Sequence, residues 1–274
     1  MLQLVDDGAL ALSDPVSKWY PDFPNGDRIT VDHLLRMRSG IRDSLGEKFL
    51  AEYYADPLMR LTPDQMIARS AARKAEFIAP DTVTRYTNVN FVMLEQIAVK
   101  ASRRPIGALL DERIFKPLGL TETSYPTDTR LGGTTRGYLW NPRSESFEDM
   151  TVLNPAPAGG AGAMISTLAD LKRYARALCI GTLLKPETQR LRLQATRLEG
   201  EPAFVTYGAG IARIGRFCGH NGTIFGFSSE MFYLPEKDAV IVIDVNRLDR
   251  DDKSQSTETF LSVSKLLFPE YVNW

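Results

Sequence analysis

Cysteine and histidine are scarce in this chain, with two of each among 274 residues. Two cysteines, Cys179 and Cys218, are too few for a disulfide framework. Their apolar surroundings predict buried free thiols. With no Cys-x-x-Cys and only His33 and His220, no zinc site or other metal site is expected. Long apolar runs are also lacking. The longest, Ala239-Val-Ile-Val-Ile243 before Asp244, is far below the length of a membrane-spanning helix. Neither sign of charge is in excess: Lys+Arg 33 against Asp+Glu 34 gives a net charge of -1. That balance argues against a nucleic-acid partner, which calls for a basic excess or stripe, and no charge block suits a membrane surface. Glycine and proline, 20 and 16, are ordinary and exclude collagen-like or low-complexity structure. No internal repeat, linker or secretory signal is readable.

The signals that are present come in two blocks. Residues 1–7 are apolar at 1, 2, 4 and 5 and stop at Gly8, with no capping residue in front. They read as the tail of a longer helix, because so short a helix is unstable alone. Thr30 caps a short helix carrying Leu34 and Leu35 and closed by Ser39-Gly40. Thr62-Pro-Asp-Gln65 is a capping box with Pro at the first helical position. Residues 88–101 and 106–115 have helical spacing. Thr167 opens another helix with Leu168, Leu171, Tyr174, Ala175 and Leu178 on one face. After about residue 204 the period changes. Strands are predicted over 207–214, 216–219, 225–234 and 239–245, then a helix over 256–267 that turns Phe260, Val263 and Leu266 inward. Segregated helices and strands predict an α+β fold. The expected organisation is a single domain, residues 1–274, with 1–204 mainly helical and 205–274 forming strands and the terminal helix.

Four segments bear on chemistry. Tyr86-Thr-Asn88 lies at a loop-to-helix junction, where hydroxyl and amide can share one cleft. A tyrosine there can relay a proton, or act as a base if a cation lowers its pKa from about 10. The competing reading is a core Tyr and a capping Asn. Cys218-Gly-His-Asn-Gly-Thr223 reads as a strand entering a turn. Its glycines admit a ligand close to the backbone, and the N–H after Gly222 can donate to an oxyanion. The competing reading is an Asn-Gly turn beside a solvated His. Pro157-Ala-Gly-Gly-Ala-Gly162 lacks the Lys-Ser/Thr of a phosphate loop and reads as a tight connection. His33 is expected to be structural, and Asp6-Asp7 and Asp251-Asp252 to be solvated turns.

Taken in order, Leu2-Gln-Leu-Val-Asp-Asp-Gly-Ala-Leu-Ala-Leu-Ser-Asp-Pro-Val16, His33-Leu-Leu-Arg-Met-Arg-Ser-Gly40, Tyr86-Thr-Asn88, Ile114-Phe-Lys-Pro-Leu-Gly119, Ala158-Gly-Gly160 with Ser166-Thr-Leu-Ala-Asp-Leu171, and Gly219-His-Asn-Gly222 cover nearly the whole chain. The set resembles the serine hydrolases of the β-lactamase and penicillin-binding type, in the branch of class C β-lactamases, D-aminopeptidases and esterases. The resemblance implies a β-lactamase/transpeptidase-like fold, an antiparallel sheet flanked by helices plus a helical subdomain. It implies acyl transfer to water through an acyl-enzyme, without cofactor, on small-molecule or peptide substrates: esters, D-aminoacyl amides or β-lactams. It assigns catalytic roles to Tyr86, Asn88 and His220, and substrate contact to Gly222 and Thr223. His220 stands where many members carry Lys, and a His there looks more like the esterase and D-aminopeptidase members than true class C β-lactamases. Pro80-Asp81 departs from the Pro-Gly usual before the Tyr, so the turn there can differ in shape.

The family's Ser-x-x-Lys is missing from its place. The resemblance puts it roughly ten residues before Met1, together with N-terminal strands that are also missing. Ser262-Val-Ser-Lys265 has the spacing but follows the other motifs and sits in the amphipathic terminal helix. These 274 residues alone are therefore expected to be inactive. The rival reading is a non-catalytic pseudo-enzyme or ligand-binding module of the same fold. Relatives of this kind are commonly extracytoplasmic.

Overall fold

Threonine caps set where several helices begin. The computed structural model describes residues 1–126, 135–142, 144–249 and 255–272. Its helices are α1 (Leu2–Asp6), α2 (Val31–Leu35), α3 (Glu47–Ala55), α4 (Pro63–Ala71), α5 (Val89–Ser102), α6 (Ile106–Leu110), α7 (Lys116–Leu118), α8 (Leu168–Ile180), α9 (Pro186–Leu193) and α10 (Gln255–Leu267). A π-helical turn, Asp111–Phe115, joins α6 to α7. At α2 the His33 N–H donates to the Thr30 hydroxyl, and the Thr30 N–H donates to His33 Nδ1 at 3.2 Å. This is a capping box with imidazole in place of carboxylate, so His33 has the structural role expected of it. Thr62 and Gln65 form the same reciprocal pair at α4, and Thr167 caps α8. The α2 helix ends at Leu35, earlier than expected, because Met37 adopts a left-handed φ of 58°.

The strands are β1 (Tyr138–Asn141), β2 (Ser146–Asp149), β3 (Thr196–Arg197), β4 (Val205–Tyr207), β5 (Ala212–Ile214), β6 (Phe217–Ile224), β7 (Phe227–Leu234), β8 (Ala239–Val245) and β9 (Arg247–Leu248). Six of them form an antiparallel sheet in the order β3-β4-β5-β6-β7-β8. Alternation along β7 sends Phe232 to one face and Tyr233 to the other. On the first face Phe260 of α10 packs against Phe217 and Phe232, ring centroids 5.3 and 4.7 Å apart. On the second, α8 lays Leu178 and Cys179 over Ile211, Cys218 and Tyr233. The helical part has its own core around α5, where Val92, Met93 and Ile97 meet Val31 and Leu34 of α2 and Met66 of α4. The architecture is α+β, as expected. Among the described residues no helix is long and apolar enough to cross a membrane.

Several expectations are corrected. Cys179 and Cys218 are not free thiols but a disulfide, because α8 crosses the sheet directly over β6 and brings their Cα atoms to 6.0 Å. The 207–214 segment is two strands, β4 and β5, with a tight turn between them. The next strand does not stop at Gly219. Seven cross-strand pairs with β7 carry β6 through to Ile224, so Asn221-Gly222 is strand rather than turn. Leu168, at the start of α8, and Leu266 face outward, 52% and 80% exposed; on α10 the buried stripe is Ser256, Phe260 and Ser264 instead. Asp6 is not a solvated turn residue. Its carboxylate receives the Lys185 N–H at 2.9 Å and the Thr188 hydroxyl, at the start of α9. Asp251 and Asp252 lie outside the described residues. A second small sheet, β2-β1-β9, was not expected. Its β1–β9 pairing joins segments more than a hundred residues apart, and β2 is largely exposed, so neither periodicity nor apolar content marks it.

Candidate active site

Tyr86 is positioned by a loop tied at several points. Asp81 adopts φ 64°, the left-handed conformation that glycine takes most readily. Its carboxylate receives the Arg38 guanidinium at 2.6 Å, which lowers its pKa from the ordinary value. Arg38 also donates to Thr84 at 3.1 Å, and the Arg85 N–H donates to Met37 O at 2.8 Å. Tyr86 then stands at the surface, 39% exposed, rather than in the core. Its ring meets Tyr207 edge-on at 5.9 Å and His220 at 6.2 Å. Two residues on, Asn88 occupies the capping position of α5 but makes no side-chain cap. Its amide donates instead to Asp43 Oδ2 at 2.8 Å, and its backbone N–H reaches the same oxygen at 2.9 Å.

His220 comes from β6. The glycine before it is sterically required: a Cβ on Gly219 would lie 1.9 Å from the Met231 carbonyl oxygen. His220 Nδ1 lies 2.6 Å from Asn221 O, and Nε2 lies 3.0 Å from the Tyr207 hydroxyl. The neighbouring strand β5 ends at Ala212, opposite Gly219. From His220 onward the described pairing of β6 is with β7 alone, so its other backbone edge is open. Gly222 and Thr223 are exposed on this open stretch. A Cβ on Gly222 would come within 3.3 Å of Ser229 Oγ, tight enough to disturb the pair.

All three rings are neutral near pH 7. Although Tyr86 is 39% exposed, the partial loss of hydration beside Tyr207 and His220 comes first and the Asp43 carboxylate second in pushing it up to about 12. The charge acting on Tyr86 thus has the sign opposite to the one a tyrosine base needs. Burial pushes Tyr207 well up, with Tyr86 adding to it. Burial pulls His220 below its ordinary value, against a smaller opposing effect of the Asn221 carbonyl. The cluster can accept and donate hydrogen bonds without presenting a charge.

The structure therefore joins Tyr86 to His220 and places Gly222 and Thr223 on the same strand edge, while Asn88 is tied to Asp43. Sequence reasoning missed two participants. Tyr207 carries a faint signal, an aromatic directly before the glycines of Gly208-Ala-Gly210; Asp43 carries none. The 157–162 loop is a tight connection: a Cβ on Gly160 would lie 2.6 Å from Phe91 O, and its N–H bonds the buried Glu95 carboxylate. Ser262 and Lys265 are both exposed on α10, and the Ser262 hydroxyl donates to Glu258 O at 2.9 Å. That helix packs on the sheet through Phe260, against Phe217 and Phe232, and turns Ser262 and Lys265 to solvent.

A family model described as Beta-lactamase matches residues 1–263. Penicillin-binding protein 4* of Bacillus subtilis is 24% identical over 270 residues, covering 92% of this chain and 58% of its own. The D-alanyl-D-alanine-carboxypeptidase/endopeptidase AmpH of Escherichia coli is 26% identical over 200 residues, covering 71% of this chain and 49% of its own. The chain thus spans about half the length of these relatives. Among solved structures, a D-stereospecific amidohydrolase from Streptomyces sp. superposes with a TM-score of 0.87 at 28% identity, covering 98% of this chain and 82% of that one.

Proposed function

The chain belongs to the beta-lactamase family and has its β-lactamase/transpeptidase-like fold. On that premise we propose that the open edge of β6 is the acyl-transfer site of a serine hydrolase acting on D-aminoacyl amides and related esters. The observation that carries this is Tyr86 held against His220 beside a strand edge with exposed, glycine-flanked backbone. In this reading Tyr86 keeps its proton at neutral pH; as the acyl-enzyme forms it gives that proton to the leaving group and takes up the one released by the attacking serine hydroxyl, ending neutral again. Asn88, steadied by Asp43, turns its remaining amide capacity to the substrate. Gly222 lets the acyl group approach the backbone, and the Thr223 N–H stabilises the oxyanion. His220 shapes substrate preference. Being neutral, it offers no charge to a substrate carboxylate, which favours amides over the carboxylate-bearing substrates a lysine there would hold. The names of the Streptomyces amidohydrolase and of AmpH, both acting on D-configured substrates, agree with this choice.

Ser-x-x-Lys occurs in these 274 residues only at Ser262, whose hydroxyl is exposed and bonded to its own helix. The chain by itself is therefore proposed to have no turnover. The test is hydrolysis of D-phenylalanine p-nitroanilide by a form that also carries Ser-x-x-Lys ahead of Leu2. That form turns over, and Tyr86→Phe slows it about 10²-fold, the scale of general acid–base catalysis. Unchanged turnover by a folded Tyr86→Phe protein removes Tyr86 from the mechanism. Saturable binding without any turnover supports the rival, a ligand-binding module.

A further inference from the structure

Both nitrogens of His220 are taken up by the protein, and the partners settle which carries hydrogen. The Asn221 carbonyl can only accept, so the nitrogen 2.6 Å from it, Nδ1, is the protonated one. A neutral imidazole then has its lone pair on Nε2, and the hydroxyl of Tyr207, 3.0 Å away, donates to it. Tyr207 is 2% exposed and fixed from both sides. Its ring stands perpendicular to that of His220 at 5.6 Å and edge-on to Tyr86 at 5.9 Å. The register pairs Tyr207 with Ala212 on β5 and Ala212 with Gly219 on β6, the residue before His220.

We propose that Tyr207 is a positioning residue that holds His220 in the Nδ1–H tautomer and occupies its Nε2. His220 then meets the substrate as a fixed, uncharged wall rather than as a proton acceptor. The last point rests on the function proposed above, which puts the substrate beside His220; the tautomer and the occupied Nε2 do not.

The 274-residue chain itself serves for the test, since His33 and His220 are its only histidines. Nitrogen-15 NMR of the imidazoles, assigned with His220→Gln, shows a protonated Nδ1 and a hydrogen-bonded, unprotonated Nε2 for His220. Tyr207→Phe keeps the ring and its packing. It moves the Nε2 resonance toward that of a free lone pair and speeds diethylpyrocarbonate modification of His220 about tenfold, the factor an ordinary hydrogen bond is worth. His33 serves as the internal reference and is unchanged. An Nε2–H tautomer in the wild-type protein overturns the proposal, and that measurement needs no variant. An unchanged resonance and modification rate in Tyr207→Phe overturns it as well. Failure of the acyl-transfer reading would appear as absent turnover with these spectra intact.

Discussion

One carboxylate oxygen, Asp43 Oδ2, receives both the backbone N–H and the side-chain amide of Asn88, at 2.9 and 2.8 Å. The bond across the chain replaces the local cap that an Asn at a helix start would otherwise form. It turns the first residue of the α5 entry into a tether between two loops, and it places a negative charge near Tyr86.

Removing that carboxylate has two separable effects. Asp43→Ala lowers stability in urea denaturation by about 1.5–3 kcal/mol, the range for hydrogen bonds to a charged group. It also lowers the titration point of Tyr86, since the Asp43 charge is one of the two causes raising it. Asp43→Asn restores part of the stability but not the higher titration point, read by ultraviolet difference against Tyr86→Phe. A Tyr86 that titrates unchanged in both variants contradicts the electrostatic link.

Glu230 on β7 makes stability depend on pH. It is fully buried and accepts from the Ser256 and Thr257 hydroxyls at the start of α10, and among the described residues nothing bonds its Oε2. Burial pushes its carboxyl up from 4.5 to about 7, against the smaller opposing pull of the two hydroxyls. Between those values the folded chain holds a proton that the unfolded chain releases. Its contribution is therefore whole below 4.5 and is lost as pH rises through 7, a change of roughly 3 kcal/mol. Glu230→Gln removes this loss, so the variant gains on the wild-type protein from pH 5 to pH 8 in chemical denaturation. Parallel pH profiles for the two proteins count against the assignment.

The Cys179–Cys218 bond closes a loop with a sequence separation of 39. Replacing both residues by Ala lowers stability by about 3–4 kcal/mol on the chain-entropy estimate for such a loop. Alkylation of the unreduced, urea-unfolded protein modifies neither cysteine, and prior reduction exposes both. Two thiols found without reductant contradict the pairing.

Treatment of the 274-residue chain with a β-lactam or a fluorophosphonate leaves its mass unchanged. Ser262 is the serine with the right spacing to Lys265, but both are solvated, and the Ser262 hydroxyl is bonded to Glu258 O of its own helix rather than to an activating base. A stoichiometric adduct on any serine, Ser262 above all, refutes the proposed inactivity of the chain alone.

What the sequence determined by itself are the features set by residues close along the chain. Thr30, Thr62 and Thr167 cap helices because a hydroxyl three residues before a backbone N–H is within reach whatever the rest of the fold does. The apolar run of β-branched residues within 239–245 is likewise local, and β8 has those bounds. The order of Tyr86-x-Asn88 and His220-x-Gly222 along the chain was legible for the same reason. Asn221-Gly222 was misread because its local preference for a turn yields to the long pairing of β6 with β7, which the dipeptide does not encode. The disulfide, the Asp43–Asn88 tether and the Tyr207–His220 bond span 39, 45 and 13 residues. Only the tertiary structure decides them. Each depends on how a helix or strand is laid against another, and a hydrogen bond or disulfide forms only within a few tenths of an ångström of the right separation, which no spacing along the chain specifies.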